Sequence, residues 1–303
     1  AHARLVMVRA LGGKSYWSYG VDELVVACRK AKVPLVLMPG DDQPDTELMS
    51  LSSVTPEHYH RFWNYCIHGG LENAAQLLDA AADFAGFSQS YREPRELLRA
   101  GLYWPGRPVS GLDDLRACWR ADQPIAAVVF YRALLQAANL APIDALIEAL
   151  SERGLNPLPI YCATLKDPLC AQMVAQALQT AGADLVLNTT GFAISSPGQP
   201  RAKTPFDICD GPVLQVVLAG TSAEHWRGGP QGLSARDIAM NVALPEVDGR
   251  LLTRAVSFKD AKHYDELTQC NIVSYVGEHS RVDFVAKLAS NWVRLRHQPA
   301  AQR

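Results

Sequence analysis

The sequence lacks the features of several large protein classes. No apolar run approaches the roughly 20 residues that a membrane-spanning helix requires. The net charge is −2 and no long basic run occurs, which argues against nucleic acid as a partner because such binding needs a clustered basic face. No signal-peptide pattern opens the chain. We therefore expect a cytoplasmic protein that binds neither a membrane nor nucleic acid.

Cysteine and histidine are not spaced as cross-links or ligands. The cysteines number seven, and no two form a Cys-x-x-Cys pair, which favours reduced intracellular thiols over disulfides or a zinc site. His58, His60 and His68 are close in sequence but do not share a helix face, and no two histidines stand four residues apart. The sequence predicts no resident metal site.

A phosphate-binding loop is incomplete. Gly13-Lys14-Ser15 matches the end of the P-loop pattern, but that pattern needs a further glycine where Val8 stands. We interpret this stretch as a turn from a strand into a helix, and we expect no ATP site in the chain.

Apolar runs that alternate with amphipathic segments predict the fold. The chain has 303 residues, 48% hydrophobic and 20% charged, which suits a globular protein of about two domains. We predict an α/β protein with two Rossmann- or flavodoxin-like units and largely parallel sheets. Residues 1–120 form a truncated α/β domain with a helical segment and a connector rich in Pro and Gly, and residues 121–303 form a doubly wound domain. A strand at Arg4–Arg9 begins so abruptly that we expect residue 1 not to be the natural start.

Polar residues at the ends of predicted strands form the first group of site candidates. Ligands of open parallel sheets bind beyond the carboxyl ends of the strands, which selects Arg132, Asn188 and Thr189, with Gln215 inside a later strand. Each has a structural alternative: an ion pair for Arg132, an ordinary turn for Asn188 and Thr189, and a structural hydrogen bond for Gln215.

The segment 232–259 forms the second group, because it combines apolar backbone stretches with dense charge. Asn241 and Arg254 are candidate substrate contacts. Glu246 and Asp248 are a candidate carboxylate pair for proton transfer or metal contact. The alternative is that Asp248-Gly249 forms a turn and Glu246 is solvated.

Several phrases closely resemble one family. They are FYRALLQAANLAPIDALIEALSERGLNPLPIY, NTTGFA, PVLQVVLAG and GLSARDIAMNVALPEVDGRLLTRAVSFK, with VRALGGKSYWSYG, MPGDDQPD and HGGLENAAQLL before them. The chain resembles the large subunit of aerobic cobaltochelatase, the CobN family, and more distantly that of magnesium chelatase. The likeness covers essentially the whole chain, and because family members are several times longer, it implies a fragment.

The resemblance implies a function. In this family Co²⁺ is inserted as a substrate into hydrogenobyrinic acid a,c-diamide during cobalamin synthesis. An AAA+ ATPase subunit and its adaptor subunit hydrolyse the ATP, and the rest of the large subunit is a further partner. A carboxylate or histidine would remove ring protons or hold the metal transiently. The resemblance therefore makes Glu246 and Asp248 stronger candidates for this role. Arginines would hold the carboxylates of the corrinoid, and the candidates are Arg132, Arg236, Arg250 and Arg254.

Two alternatives stay open on this resemblance. The first is that this region is a non-catalytic module, which only scaffolds the large subunit or docks the ATPase subunits. The chain is otherwise part of the large subunit of another tetrapyrrole chelatase, for magnesium or nickel. On either reading we expect the isolated fragment to be inactive.

Overall fold

The computed structural model describes residues 3–230 and 232–298. Within them the chain divides into two compact units. The first comprises the residues up to Leu97 together with Gln136–Ala138, and the second comprises Leu98–Leu135 and the residues from Asn139 onward. In the described part of the chain, no helix combines the length and the apolar character needed to cross a membrane.

The first unit is built around two parallel strands, β1 (Val6–Ala10) and β2 (Leu35–Pro39). Its helices are α1 (Gly13–Tyr16), α2 (Ser18–Ala31), α3 (Thr46–Leu51), α4 (Pro56–His68) and α5 (Gly70–Phe84). Every residue of β2 is buried, as expected for a strand covered on both faces.

Local sequence explains the bounds of α4. Thr55 caps its first turn by accepting a hydrogen bond from the His58 N–H, and Pro56 occupies the first helical position. The helix ends before Gly69, whose φ of 63° lies in the left-handed region that glycine tolerates. Its aromatic face, including Phe62 and Tyr65, packs in the core with β2.

Lys14, in the incomplete P-loop pattern, forms two ion pairs within the first unit. Its Nζ lies 3.0 Å from the Asp22 carboxylate and 3.7 Å from that of Glu47. The lysine therefore ties α1 to α2 and α3 through ion pairs.

The second unit is organised around a seven-stranded sheet. Its strands are β3 (Ala100–Leu102), β4 (Ile125–Tyr131), β5 (Asn156–Cys162), β6 (Leu185–Asn188), β7 (Val213–Leu218), β8 (Leu251–Asp265) and β9 (Cys270–Gly277). They lie in the order β3-β5-β4-β6-β7-β8-β9. The five inner strands are parallel, and β3 and β9 pair antiparallel at the two edges.

Helices cover both faces of this sheet. They are α6 (Leu112–Arg116), α7 (Arg132–Gln136), α8 (Ala141–Glu152), α9 (Pro168–Ala181), α10 (Ala223–Gly228), α11 (Ala235–Ile238), α12 (Leu244–Val247) and α13 (His279–His297). Ala127 and Val129 of β4 pack in one core with Val174 and Leu178 of α9. Successive strand residues point to opposite faces, and on the other face α8 packs against α13.

The order of the parallel strands fixes where a ligand site belongs. In chain order they lie second, first, third, fourth, fifth, which is the flavodoxin-like arrangement of a doubly wound sheet. The order reverses between β4 and β6, and ligands of such sheets bind in the crevice beyond the carboxyl ends there. The predicted α/β class with a large, mostly parallel sheet is confirmed.

The domain boundary differs from the sequence-based expectation. The sequence predicts a boundary near residue 120, whereas the units divide between Leu97 and Leu98, because β3 lies in the Pro- and Gly-rich connector and pairs with β5.

Asp248-Gly249 forms a turn, as in the alternative given above. It follows α12, which is entered through a π-helical turn at Ala239–Ala243.

Candidate functional site

An open cleft of about 370 Å³ lies beyond the carboxyl ends of β4, β6, β7 and the parallel part of β8. We call it the cationic cleft. Its polar lining residues are Tyr131, Thr189, Thr221, Ser234, Arg236, Asp237, Asn241, Lys259 and Tyr275. They come from four strand ends and from the segment 232–259, so the sheet topology brings together residues that are more than 100 positions apart.

Asp237 fixes the floor of the cationic cleft. One carboxylate oxygen accepts the Gly220 N–H at 2.9 Å and the Asn241 amide at 3.4 Å. The other accepts the hydroxyls of Ser234 at 2.9 Å and Thr221 at 3.4 Å. Asp237 is 5% exposed, so this buried carboxylate holds the loop after β7 against α11 and the π-helical turn.

Two exposed cations supply positive charge to the cationic cleft. Arg236 donates to the sulfur of Met240 at 3.5 Å, and Lys259 lies 5.4 Å from the centre of the Tyr275 ring. Within the described residues, neither forms an ion pair with a carboxylate. The cleft can therefore accept an anionic ligand without first breaking a salt bridge.

The wall between β6 and the π-helical turn has two unusual backbone features. A Cβ on Gly191 would lie 3.0 Å from the Asn241 amide oxygen and 3.0 Å from the Met240 carbonyl oxygen, so the close approach favours glycine. Phe192 has a φ of 60°, uncommon for a bulky residue, and its N–H donates to Met240 O at 2.8 Å. Strained residues and π-helical turns both concentrate at functional sites.

The Tyr131 phenol is a hydrogen-bond donor at the carboxyl end of β4. It donates to the Gly191 carbonyl at 3.0 Å. Burial raises the pKa of Tyr131 to about 12, so the phenol keeps its proton at neutral pH. Burial also raises the pKa of Tyr275. The two phenols add neutral donors beside the cations.

A buried polar network underlies this region. The Asn188 amide donates to Thr190 O at 2.9 Å and to Gln215 Oε1 at 2.8 Å. Gln215 donates to the same Thr190 carbonyl at 3.0 Å. Arg250 also reaches Thr190 O, at 3.2 Å, and forms a 2.7 Å ion pair with Asp248. These buried side chains fix the conformation of the loop after β6 through hydrogen bonds to the Thr190 carbonyl oxygen.

Asp248 is fully engaged inside the protein. Its two oxygens accept the N–H groups of Ile194 and Ser195, each at 2.9 Å, besides the Arg250 ion pair. Burial by itself raises the pKa of Asp248, but these backbone hydrogen bonds and the charge of Arg250 outweigh it and lower the pKa below its usual value. An ionised carboxylate with every oxygen occupied is suited to holding the 193–195 loop rather than to accepting a proton.

The predicted site residues therefore separate into groups. Thr189 and Asn241 line the cationic cleft. Asn188, Gln215 and Asp248 are buried in the network beneath it, and Arg132 is buried with its Nε donating to Leu98 O at 2.9 Å. Arg254 stacks over the Phe284 ring at 3.6 Å and does not line the cleft.

Glu246 and Asp248 do not form a facing pair. Glu246 is exposed on α12 and lines neither this cleft nor the other cavities described, whereas Asp248 is 3% exposed. Two residues apart on a helix, side chains point away from each other. For Asp248 the geometry favours the turn-like, structural alternative.

Asp237 and Lys259 are among the cleft residues that the site prediction missed. Ser234 and Asp237 show the spacing of a helix cap, and Ser234 Oγ accepts the Asp237 N–H at 3.1 Å, which would have placed Asp237 at a helix start. Lys259 follows the last residue of β8 that pairs with β7, so the strand-end rule selects it once the pairing is known.

The chain is similar in sequence to known chelatase subunits. The family described as CobN/Magnesium Chelatase matches residues 63–303. The aerobic cobaltochelatase subunits CobN of a Sinorhizobium species and of Pseudomonas aeruginosa are 41% and 43% identical over 100% of this chain. The chain covers 24% of the length of each.

A solved structure agrees with the fold. The catalytic subunit of cobaltochelatase from Mycobacterium tuberculosis superposes with a TM-score of 0.71 at 29% identity, over 98% of this chain and 24% of that one. The chain belongs to the CobN/magnesium chelatase family.

Proposed function

We propose that this chain is part of the large subunit of an ATP-dependent cobaltochelatase. The full enzyme inserts Co²⁺, a substrate, into hydrogenobyrinic acid a,c-diamide in cobalamin biosynthesis. The observation that carries the proposal is the cationic cleft, in which Arg236 and Lys259 lie without carboxylate partners among the described residues. A corrinoid with several carboxylates on its rim is the ligand chemistry that such a cleft fits.

The cleft binds one edge of the macrocycle. Arg236 presents a planar set of donors to a carboxylate arm, and Lys259 provides a second point charge. Leu134, Leu218 and Met240 add apolar surface for the ring edge. The phenol of Tyr275 stays protonated and is suited to donate to an amide or carboxylate oxygen. The phenol of Tyr131 already donates to the Gly191 carbonyl, so it can only accept from the ligand.

Metal insertion also needs removal of protons from ring nitrogens. Our proposed acceptor is Glu246, which lies outside the cationic cleft and would reach the ring only in the cavity that the rest of the large subunit completes. It is the exposed member of the predicted carboxylate pair. Asp248 then acts as a positioning residue, since it fixes the loop at Ile194 and Ser195.

The proposal includes partners and location. An AAA+ ATPase subunit and its adaptor hydrolyse ATP, the rest of the large subunit completes the substrate cavity, and the complex is cytoplasmic. The chain spans 24% of its CobN relatives, so the complete activity belongs to the assembled enzyme.

Titration of the full-length large subunit with hydrogenobyrinic acid a,c-diamide tests the site. We expect the double variant Arg236→Gln, Lys259→Gln to bind the corrinoid about ten- to a hundredfold more weakly, because two charge-assisted contacts are lost. The matched control is Lys287→Gln with Arg294→Gln, which removes one lysine and one arginine from exposed positions of α13.

Three outcomes separate the alternatives. Equal binding by wild type and the double variant would favour a scaffold role for this region. Tighter binding of a porphyrin than of the corrinoid would favour a magnesium or nickel chelatase. An unchanged cobalt insertion rate in a folded Glu246→Gln full-length variant would remove Glu246 from the mechanism.

A further inference from the structure

A second, smaller cavity of about 270 Å³ lies on the other side of the sheet's switch point. It is bounded by the loop after β5, the loop after β6 and Arg250. Its lining includes the apolar residues Leu165, Phe192, Ala193 and Ile194 and the polar residues Thr164 and Lys166. We call it the small cavity.

The small cavity and the cationic cleft share a partition. Tyr131 and Gly191 line both of them, and the phenol of the first donates to the carbonyl of the second at 3.0 Å. The two spaces are therefore adjacent compartments of one crevice along the carboxyl ends of β5, β4, β6 and β7.

Lys166 gives the small cavity an available positive charge. It is exposed, and among the described residues it forms no ion pair. Its backbone N–H donates to the Thr164 hydroxyl oxygen at 3.2 Å, which leaves the Thr164 O–H proton available to a ligand. One ammonium and one hydroxyl thus face the same space.

Arg250 contributes differently. Its charge is balanced by Asp248 at 2.7 Å and it is 4% exposed, so it forms part of the floor. Its Nε has no hydrogen-bond partner among the described residues, so one donor of the guanidinium stays unused. The cavity is thus apolar along its side, with an exposed lysine at its edge and a buried, charge-balanced guanidinium below.

We propose that the small cavity is a second substrate subsite that holds one carboxylate-bearing arm of the macrocycle, and that Lys166 determines its specificity. This inference rests on the proposed function. A corrin ring is larger than either compartment, so an edge seated in the cationic cleft extends across the partition. The methylene groups of the neighbouring arm pack on Phe192 and Ile194, and the carboxylate meets Lys166 and Thr164.

The test measures corrinoid binding to the full-length large subunit carrying Lys166→Gln, Lys166→Glu or Lys166→Arg. We expect Lys166→Gln to weaken binding about three- to tenfold and Lys166→Glu to weaken it further, while Lys166→Arg restores most of the affinity. Against a corrinoid whose carboxylates are all converted to amides, wild type and Lys166→Gln should bind equally. Lys287→Gln on α13 is the matched control.

Chemical labelling gives a second readout. Saturating corrinoid should slow acylation of the Lys166 amine, measured by mass spectrometry, and leave Lys287 unchanged. If wild type binds the corrinoid but Lys166 is not protected and Lys166→Gln binds normally, the subsite is wrong and the proposed function survives. If wild type does not bind the corrinoid, both proposals are wrong. An equal loss for acid and amide ligands would also overturn the subsite.

Discussion

At the scale of single residues, burial decides which charges act on a ligand and which hold the fold. Arg250 and Asp248 have side chains that are 1% and 0% exposed, and they satisfy each other. Arg236 and Lys259 are exposed and free of ion pairs within the described residues. The sequence places all four in one charged segment and does not distinguish the two pairs.

Asp248→Asn should destabilise the second unit strongly. The change leaves the buried Arg250 charge without a counter-ion, and breaking such a pair costs about 3–5 kcal/mol. Urea denaturation followed by circular dichroism measures the free energy of unfolding. Glu246→Gln, at an exposed position, is the control and should lie within about 0.5 kcal/mol of wild type. Equal effects of the two substitutions would contradict the structural assignment of Asp248.

The same carboxylate predicts a pH dependence. The pKa of Asp248 is lower in the folded protein than the roughly 3.9 of an unfolded chain, so the folded state binds fewer protons. Its stabilising contribution is complete above that ordinary value and is lost as the pH falls through the folded pKa. The stability gap between wild type and Asp248→Asn should therefore be constant from pH 7 to about pH 5 and narrow below about pH 4. A stability difference that widens as the pH falls would show that the pKa of Asp248 is raised on folding, not lowered.

At the scale of elements, the π-helical turn and the loop after β6 form one contact. Gly191 lets the loop approach the turn at Met240, and the Phe192 N–H donates to the Met240 carbonyl oxygen. The helix of α11 and α12 is continuous around this turn, and its extra residue places Met240 and Asn241 at the wall of the cationic cleft.

Gly191→Ala tests that contact. Because the new methyl group would lie 3.0 Å from backbone and side-chain oxygens, we expect a loss of about 1–3 kcal/mol in stability and weaker corrinoid binding. Gly228→Ala is the matched control, since a Cβ there meets nothing within 4 Å and it is the last residue of α10. If Gly191→Ala has wild-type stability and affinity, the atoms around residue 191 relax to accept the methyl group, and the prediction is wrong.

At the scale of the whole molecule, the net charge of −2 does not attract an anion. Affinity for a carboxylate-bearing ligand must then come from the local cations of the crevice, and such contacts are screened by salt.

Corrinoid affinity should therefore fall several-fold between about 0.05 M and 0.5 M NaCl, where the screening length shortens to a few ångströms. The double variant Arg236→Gln, Lys259→Gln should show a flatter salt dependence, and the α13 double control should match wild type. Isothermal titration at each salt concentration gives the slopes. If affinity falls equally with salt in wild type and in the cleft variant, Arg236 and Lys259 do not supply the electrostatic part of corrinoid binding.

The sequence by itself determined the elements and the family. Caps, apolar periodicity and glycine stops are local properties. Thr55, Pro56 and Gly69 therefore mark the ends of α4 in the sequence, and the strand–helix alternation predicts the parallel sheet. The likeness to CobN proteins covers 100% of the chain and is visible from the sequence without a structure.

Tertiary structure alone decided the site. Strand order places Tyr131, Thr189 and Lys259 together, and no local pattern encodes that order. Burial turned Asp248 inward and left Glu246 outside, although both stand in the same short motif. The physical reason is that a side chain's charge acts on a ligand only where the packed chain leaves it solvent-exposed and unpaired, and packing is a property of residues distant in sequence.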